Sequence, residues 1–100
     1  MQENRKSSRI ASSEETVLSL DNGQKSPVKL IDISLGGMRI LTDEKFADGT
    51  AVTGKFNILP RIGPFYLKGE VAWTKPCLGK SPGYKFETGI KFTQINTIPI

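Results

Sequence analysis

Two short segments hold the side chains with the most chemistry in them. In NRKSSRI, Arg5 and Arg9 stand four residues apart, which puts both guanidinium groups on one side of either an extended chain or a helix. Each guanidinium fork can bind a phosphate, or the O6/N7 edge of a guanine, through paired N–H donors that a lysine cannot reproduce. The plainer account is a solvated chain end whose charges serve solubility, and taken alone these residues favour it. In LIDISLGGMRIL, residues 30–41, Asp32 and Ser34 lie two apart, on one side of a strand, and Gly36-Gly37 follow. An ionised Asp accepts hydrogen bonds from the N–H groups of a base, and Ser donates or accepts. Adjacent glycines expose backbone N–H groups and let a ligand come close. The plainer account here is a β-turn in which Asp32 and Ser34 bond neighbouring backbone, and for this segment alone it is at least as good.

What the chain lacks narrows the chemistry. It has no histidine and a single cysteine, Cys77, so there is neither an internal disulfide nor the usual imidazole partner for a nucleophile or a metal. The composition therefore points away from hydrolases and metalloenzymes; no catalytic residue, metal ligand or cofactor is assigned, and the chain is read as a non-enzyme. A net charge of +4 and a pI near 9.4 favour an anionic partner, although a modest lysine excess also keeps a small domain soluble. Arg5, Lys6 and Arg9 are grouped ahead of the folded part, and Arg39 and Arg61 are the other arginines.

The elements that must position these residues are strands. One hundred residues make one small domain, and period-two alternation recurs along it. In FYLKGEVAWTK, Phe65, Leu67, Val71 and Trp73 share one face and Tyr66, Lys68, Glu70 and Thr74 the other. In GYKFETGIKFTQ, Tyr84, Phe86, Ile90 and Phe92 alternate with Lys85, Glu87, Gly89 and Lys91. Val52, Phe56 and Ile58 give a further strand, MRILT another, and TVLSL and PVKLIDI flank an Asn22-Gly23 pair in which both residues tolerate positive φ. ILPRIGP and PCLGKSPG read as turns. Six short strands with frequent turns predict an antiparallel barrel or sandwich. Residues 1–10 are polar and are read as an arm unpaired with the sheet, 11–95 as the barrel and 96–100 as a tail. TQINTIPI gives no convincing helix, because Pro99 and β-branched residues crowd it. No run approaches the roughly 18 apolar residues of a membrane span, and MQENRKSSRI lacks the apolar core of a signal peptide; the expectation is a cytoplasmic protein, or a cytoplasmic piece of a longer one.

Taken together, the two segments resemble the PilZ domain family, whose signature is RxxxR followed some twenty to thirty residues later by [D/N]xSxxG. Here RKSSR at 5–9 precedes DISLGG at 32–37, then MRIL, VAW and a closing GIKF, in the family's order over nearly the whole chain. The resemblance implies an all-β, six-stranded antiparallel β-barrel, normally with a C-terminal helix that is short or absent here, and a ligand, cyclic di-GMP, a bacterial second messenger of two guanylates closed into a ring. It implies that Arg5 and Arg9 clamp guanine and phosphate, that Asp32 and Ser34 read a guanine edge, and that Gly37, helped by Gly36, keeps the strand start open. The position before the first signature arginine, Asn4 here, bears in this family on whether one ligand or a stacked pair is held.

The expected function is a cyclic di-GMP receptor or adaptor that changes conformation on binding and signals through a partner protein. Two alternatives are a PilZ-like interaction module that binds no nucleotide and a single-stranded nucleic-acid-binding barrel. The latter needs an exposed aromatic stripe beside basic residues. Trp73, Phe65 and Phe92 are in phase with Val71, Leu67 and Ile90, so core packing is the expectation for them, Tyr66 is the better exposed contact, and Lys29, Lys55, Lys68, Lys85 and Lys91 are expected to face solvent.

Overall fold

A computed structural model describes residues 10–59, 63–77 and 83–96. Arg5 and Arg9 lie outside the described residues, as do Asn4, Lys6 and Arg61. The alternating segments form strands β1 (Ile10–Ala11), β2 (Glu15–Leu20), β3 (Lys25–Ile33), β4 (Gly37–Thr42), β5 (Ala51–Leu59), β6 (Gly63–Pro76) and β7 (Phe86–Asn96). All pairings are antiparallel. The order β3-β2-β5-β6-β7-β4, with β4 pairing back onto β3, closes the six longer strands into a barrel, and β1 adds beside the end of β3. The expected six-stranded antiparallel barrel is therefore what the chain forms. No helix occurs among the described residues, and β7 continues through Thr93–Asn96.

The inward face is one apolar cluster that includes Leu18, Val28, Leu30, Met38, Ile40, Phe56, Leu67, Val71 and Ile90. Each such side chain taken fully out of water contributes about 1.5–3 kcal/mol. Cys77 is buried as a small apolar group, its Sγ 3.8 Å from the Tyr84 carbonyl. The Asn22-Gly23 hairpin forms with a three-residue loop, the Leu20 N–H donating to the Gln24 carbonyl at 2.8 Å. Only Gly23 of the pair has positive φ, and the Asn22 side chain instead accepts the Gln24 N–H at 2.8 Å.

Two bulges decide what the outer face carries. Leu30 pairs with Ile40, but Asp32 pairs with Arg39, so Ile31 is an extra residue in β3. Unbroken alternation from Leu30 would send Asp32 into the core; the bulge turns it outward and brings Ile33 in. Likewise Val71 pairs with Ile90 and Trp73 with Gly89, leaving Ala72 extra in β6. That slip rotates Trp73 out of the face it was expected to share with Leu67 and Val71, and the indole is 37% exposed. The core assignment for Trp73 is thereby corrected. Phe65 is half-buried outside the core cluster, and Phe92 is half-buried against it. Tyr66 is half-buried, with Lys55 Nζ 5.9 Å from its ring centroid. Lys55, Lys68, Lys85 and Lys91 are exposed, and Lys29 is half-buried.

Candidate functional site

The β3–β4 hairpin is closed by Ser34 and Gly37, with Leu35 and Gly36 at its tip. The Ser34 N–H donates to the Gly37 carbonyl at 2.8 Å and the hydroxyl to the same oxygen at 3.3 Å. Ser34 thus makes the local backbone bonds of a turn residue. Asp32 behaves differently. Its carboxylate is taken side-on by Arg39, whose Nε lies 3.2 Å from Oδ1 and 3.1 Å from Oδ2 while Nη2 also bonds Oδ2. The other arm of the fork, Nη1, reaches Glu87 Oε2 on β7 at 3.3 Å. Arg39 therefore ties three strands together across the outer face. Its basicity is raised, first by the hydrogen bond to Asp32 and then, against the opposing effect of burial, by the charges of Asp32 and Glu87.

The two adjacent glycines do different things. A Cβ on Gly37 would overlap the Ile90 carbonyl oxygen, closer than 3.0 Å; the close approach of β4 to β7 requires glycine there. A Cβ on Gly36 would meet nothing within 4 Å, although the Gly36 carbonyl accepts the Phe92 N–H at 3.0 Å. Gly36 is the open position of the pair, and Gly37 is part of the sheet.

The pairings join into one row across the outer face. Ala11 opposes Asp32, Asp32 opposes Arg39, Arg39 opposes Gly89, and Gly89 opposes Trp73. At about 4.8 Å per strand the row spans about 19 Å. Gly89 has no side chain to separate its neighbours, and the Trp73 indole fills the space where a Cβ would stand. Lys75 Nζ is 5.5 Å from the indole centroid, a cation–π distance. A groove of about 500 Å³ runs along this row, lined by Ser34, Gly36, Gly37, Arg39, Trp73 and Lys91 among others. That volume is in the range of small-molecule sites. The groove offers one aromatic face, two cations and the Ser34 hydroxyl, while Asp32, buried and bonded to Arg39, is not among the residues that line it.

Sequence reasoning brought Asp32, Ser34, Gly36 and Gly37 to this place, and the fold groups all four. It missed Arg39, Trp73, Glu87, Gly89 and Lys91. Arg39 was within reach of the pattern, because a two-residue tip at Leu35-Gly36 sets Asp32 opposite Arg39. Glu87 and Trp73 come from distant strands and left no such signal. Among the described residues no cluster of candidate ligands can hold a metal ion, and no helix is long and apolar enough to cross a membrane.

A family model described as the PilZ domain matches residues 3–99. Among solved structures, the chain is similar to the PilZ domain of YcgR from Escherichia coli, determined with c-di-GMP. The two superpose with a TM-score of 0.64 at 15% sequence identity, over 92% of this chain and 79% of that one. No curated protein matches the sequence.

Proposed function

This chain belongs to the PilZ domain family, and from that premise we propose that it is a receptor for cyclic di-GMP, held between the N-terminal arginine arm and the Asp32–Trp73 groove. As a PilZ domain it is a binding domain, not an enzyme. The observation that carries the reading is the pairing of β1 beside Asp32, with Ile10 opposite Ile33 and Ala11 opposite Asp32. Arg9 is joined to Ile10 by one peptide bond, about 3.8 Å between Cα atoms, and Arg5 stands five residues from Ile10, at most about 17 Å of chain. Both arginines are therefore tethered within reach of the Ser34 turn. The ligand's two phosphates call for cations, which the arm, Arg39 and Lys91 supply. One guanine edge matches Asp32 and Ser34, and a purine face matches the exposed indole of Trp73, where stacking is worth about 1–3 kcal/mol.

In this reading residues 1–10 are the arm and 11–95 the barrel, and ligand binding orders the arm at a cost of about 1–2 kcal/mol per fixed residue. That ordering is the conformational change by which a partner protein senses the bound state. A cytoplasmic setting belongs to the same proposal. Calorimetric titration with cyclic di-GMP tests it: saturable heat at tens of micromolar protein is expected, and its molar ratio decides between one ligand and a stacked pair. No heat at moderate salt sinks the receptor reading.

One observation favours a second reading. Trp73 is exposed beside Lys75 and Lys91, a combination suited to single-stranded nucleic acid. The carboxylates of Asp32 and Glu87, both bonded to Arg39, disfavour a polyanion. An excess of single-stranded oligonucleotide added to the titration separates the two, because a general single-strand binder would surrender cyclic di-GMP to it.

A further inference from the structure

A second depression lies on the outer face where β2 meets β5, away from the groove beside Trp73. The ladder between these two strands ends at Ser19 opposite Thr53. Beyond that point side chains close the seam: the Thr16 hydroxyl donates to the Lys55 carbonyl at 3.2 Å, and the Glu14 carboxylate accepts the Asn57 N–H at 2.7 and 2.9 Å. Two adjoining hollows of about 300 and 290 Å³ follow the seam and share Ser19, Thr53 and Lys68. Two rows of outward residues cross it. In one, Pro27 opposes Val17 on β2 and Lys55 opposes Tyr66 on β6. In the next, Lys25 opposes Ser19, Ser19 opposes Thr53 and Thr53 opposes Lys68. Pro27 is exposed and Val17 is 50% exposed, and the half-buried Tyr66 ring extends this apolar strip. Lys25, Lys55 and Lys68 stand exposed around it. Neither row holds a carboxylate: Glu15 opposes Lys29 in the row to one side, and Asp21 and Glu70 close the far end of the second hollow.

We propose that this face docks a short acidic segment of a partner protein, with an apolar anchor on the Pro27–Val17–Tyr66 strip and carboxylates meeting Lys25, Lys55 and Lys68. An apolar centre inside a polar rim is how protein interfaces are built, and the sign of this rim selects an anionic partner. The four strands crossed, β3, β2, β5 and β6, span about 14 Å at about 4.8 Å per step. That is about four residues of extended chain, so a linear segment suffices. Single-stranded nucleic acid suits the face less, because Lys55 Nζ stands over the Tyr66 ring, 5.9 Å from its centroid, where a base would have to stack. The inference is independent of the receptor reading, since none of these residues lines the groove beside Trp73.

A displayed library of random peptides, selected on the intact chain, provides the test. Enrichment of sequences that combine Asp or Glu with a large apolar residue is expected. A synthetic peptide of the enriched sequence should then bind in solution, with amide NMR shifts gathered at Val17, Ser19, Thr53, Lys55, Tyr66 and Lys68. Reversing two rim charges, Lys55→Glu with Lys68→Glu, turns attraction into repulsion and should weaken that peptide by about tenfold or more. Val17→Asp, which sets a carboxylate in the apolar strip, should act in the same direction and decides the matter if the double variant does not fold. All three side chains are exposed, so circular dichroism and cyclic di-GMP titration of the variants should match the parent. Enrichment of neutral or basic sequences, no enrichment, or an acidic peptide whose affinity survives these substitutions overturns the proposal. So does a single-stranded oligonucleotide that shifts the same amides and binds more tightly than the peptide. Each of these outcomes leaves the receptor reading where it stood, and a chain that fails to bind cyclic di-GMP leaves this inference intact.

Discussion

Gly36 and Gly37 are adjacent and chemically identical, so replacing each by alanine is a sharp test of how the site is built. In Gly37→Ala the new carbon would lie closer than 3.0 Å to the Ile90 carbonyl oxygen and 3.4 and 3.5 Å from the Ile90 carbonyl carbon and Lys91 Cα. All three atoms are backbone of β7, which no rotamer change can move. Strand β4 must back away, and the neighbouring Phe92 N–H to Gly36 carbonyl bond, 3.0 Å in the parent, lengthens beyond useful range. Overpacking of this kind costs about 1–3 kcal/mol and a backbone hydrogen bond about 0.5–1.5 kcal/mol, which together give about 2–4 kcal/mol. In a domain of this size that lowers Tm by about 10–30 °C. Gly36→Ala meets nothing within 4 Å, and Gly36 is not among the positive-φ glycines, so its stability should stay within about 0.5 kcal/mol of the parent. Thermal and urea unfolding of the two variants provide the measurement. A Gly37→Ala protein as stable as the parent would refute the packing argument, and so would Gly36→Ala as the worse of the two. The pair also separates roles: any loss of cyclic di-GMP affinity in Gly36→Ala at unchanged Tm is a direct effect on ligand approach.

Trp73 is the only tryptophan in the chain, so its fluorescence reports on the groove alone. Saturable quenching by cyclic di-GMP is expected, and Trp73→Ala should weaken binding by about 1–3 kcal/mol; unchanged emission at calorimetric saturation would remove the indole from the site. Asp32→Ala and Arg9→Ala should each lose about 1.5–3 kcal/mol of binding. Arg39 retains Glu87 when Asp32 is absent, so Asp32→Ala is expected to fold, and circular dichroism beside calorimetry checks both halves. Tyr84 donates its hydroxyl to Glu15 at 3.3 Å, and burial first, then the Glu15 charge, raises its pKa above the ordinary phenol value. The folded state therefore favours the neutral phenol, which helps stability fully below about pH 10 and loses that help as pH rises through the raised value. Solvent screening keeps the effect small. Denaturant midpoints of the parent and Tyr84→Phe should converge above that range, and curves that stay parallel up to pH 11.5 would contradict it.

The fold was legible because its strands follow local rules. Period-two alternation, the Asn22-Gly23 hairpin and the Pro/Gly turns each act over a few residues, and the barrel follows once six such strands must bury one face. The turn at Asn22-Gly23 shows the limit at small scale: the sequence indicates a hairpin, while the choice of a three-residue loop with a single positive-φ glycine depends on how Leu20 and Gln24 pair. Where alternation failed, it failed at bulges. Nothing in VAWT or LIDI says that Ala72 or Ile31 is the extra residue, since a bulge answers to the register of the partner strand, and β7 and β4 are fixed elsewhere in the chain.

That failure is what makes the site. Had β3 alternated without interruption, Asp32 would have followed Val28 and Leu30 into the core, where a carboxylate costs several kcal/mol unless it is paired. Had β6 done so, Trp73 would have packed with Leu67 and Val71 and been closed to any ligand. Both residues face outward on the same row because each is preceded by one inserted residue, and Gly89 and Arg39 fill the two positions between them. The motif letters therefore mark where polar chemistry sits, whereas the aromatic half of the groove is created by strand register. It follows that the outward indole depends on the pairing with β7 and not on Ala72 itself. Deleting Ala72 leaves Val71 opposite Ile90 and Trp73 opposite Gly89 in regular alternation, with the indole still outward, so the emission and its quenching by cyclic di-GMP should be retained. A deletion variant that folds with blue-shifted emission and no ligand quenching would mean that the pairing of β6 with β7 does not set which way Trp73 faces.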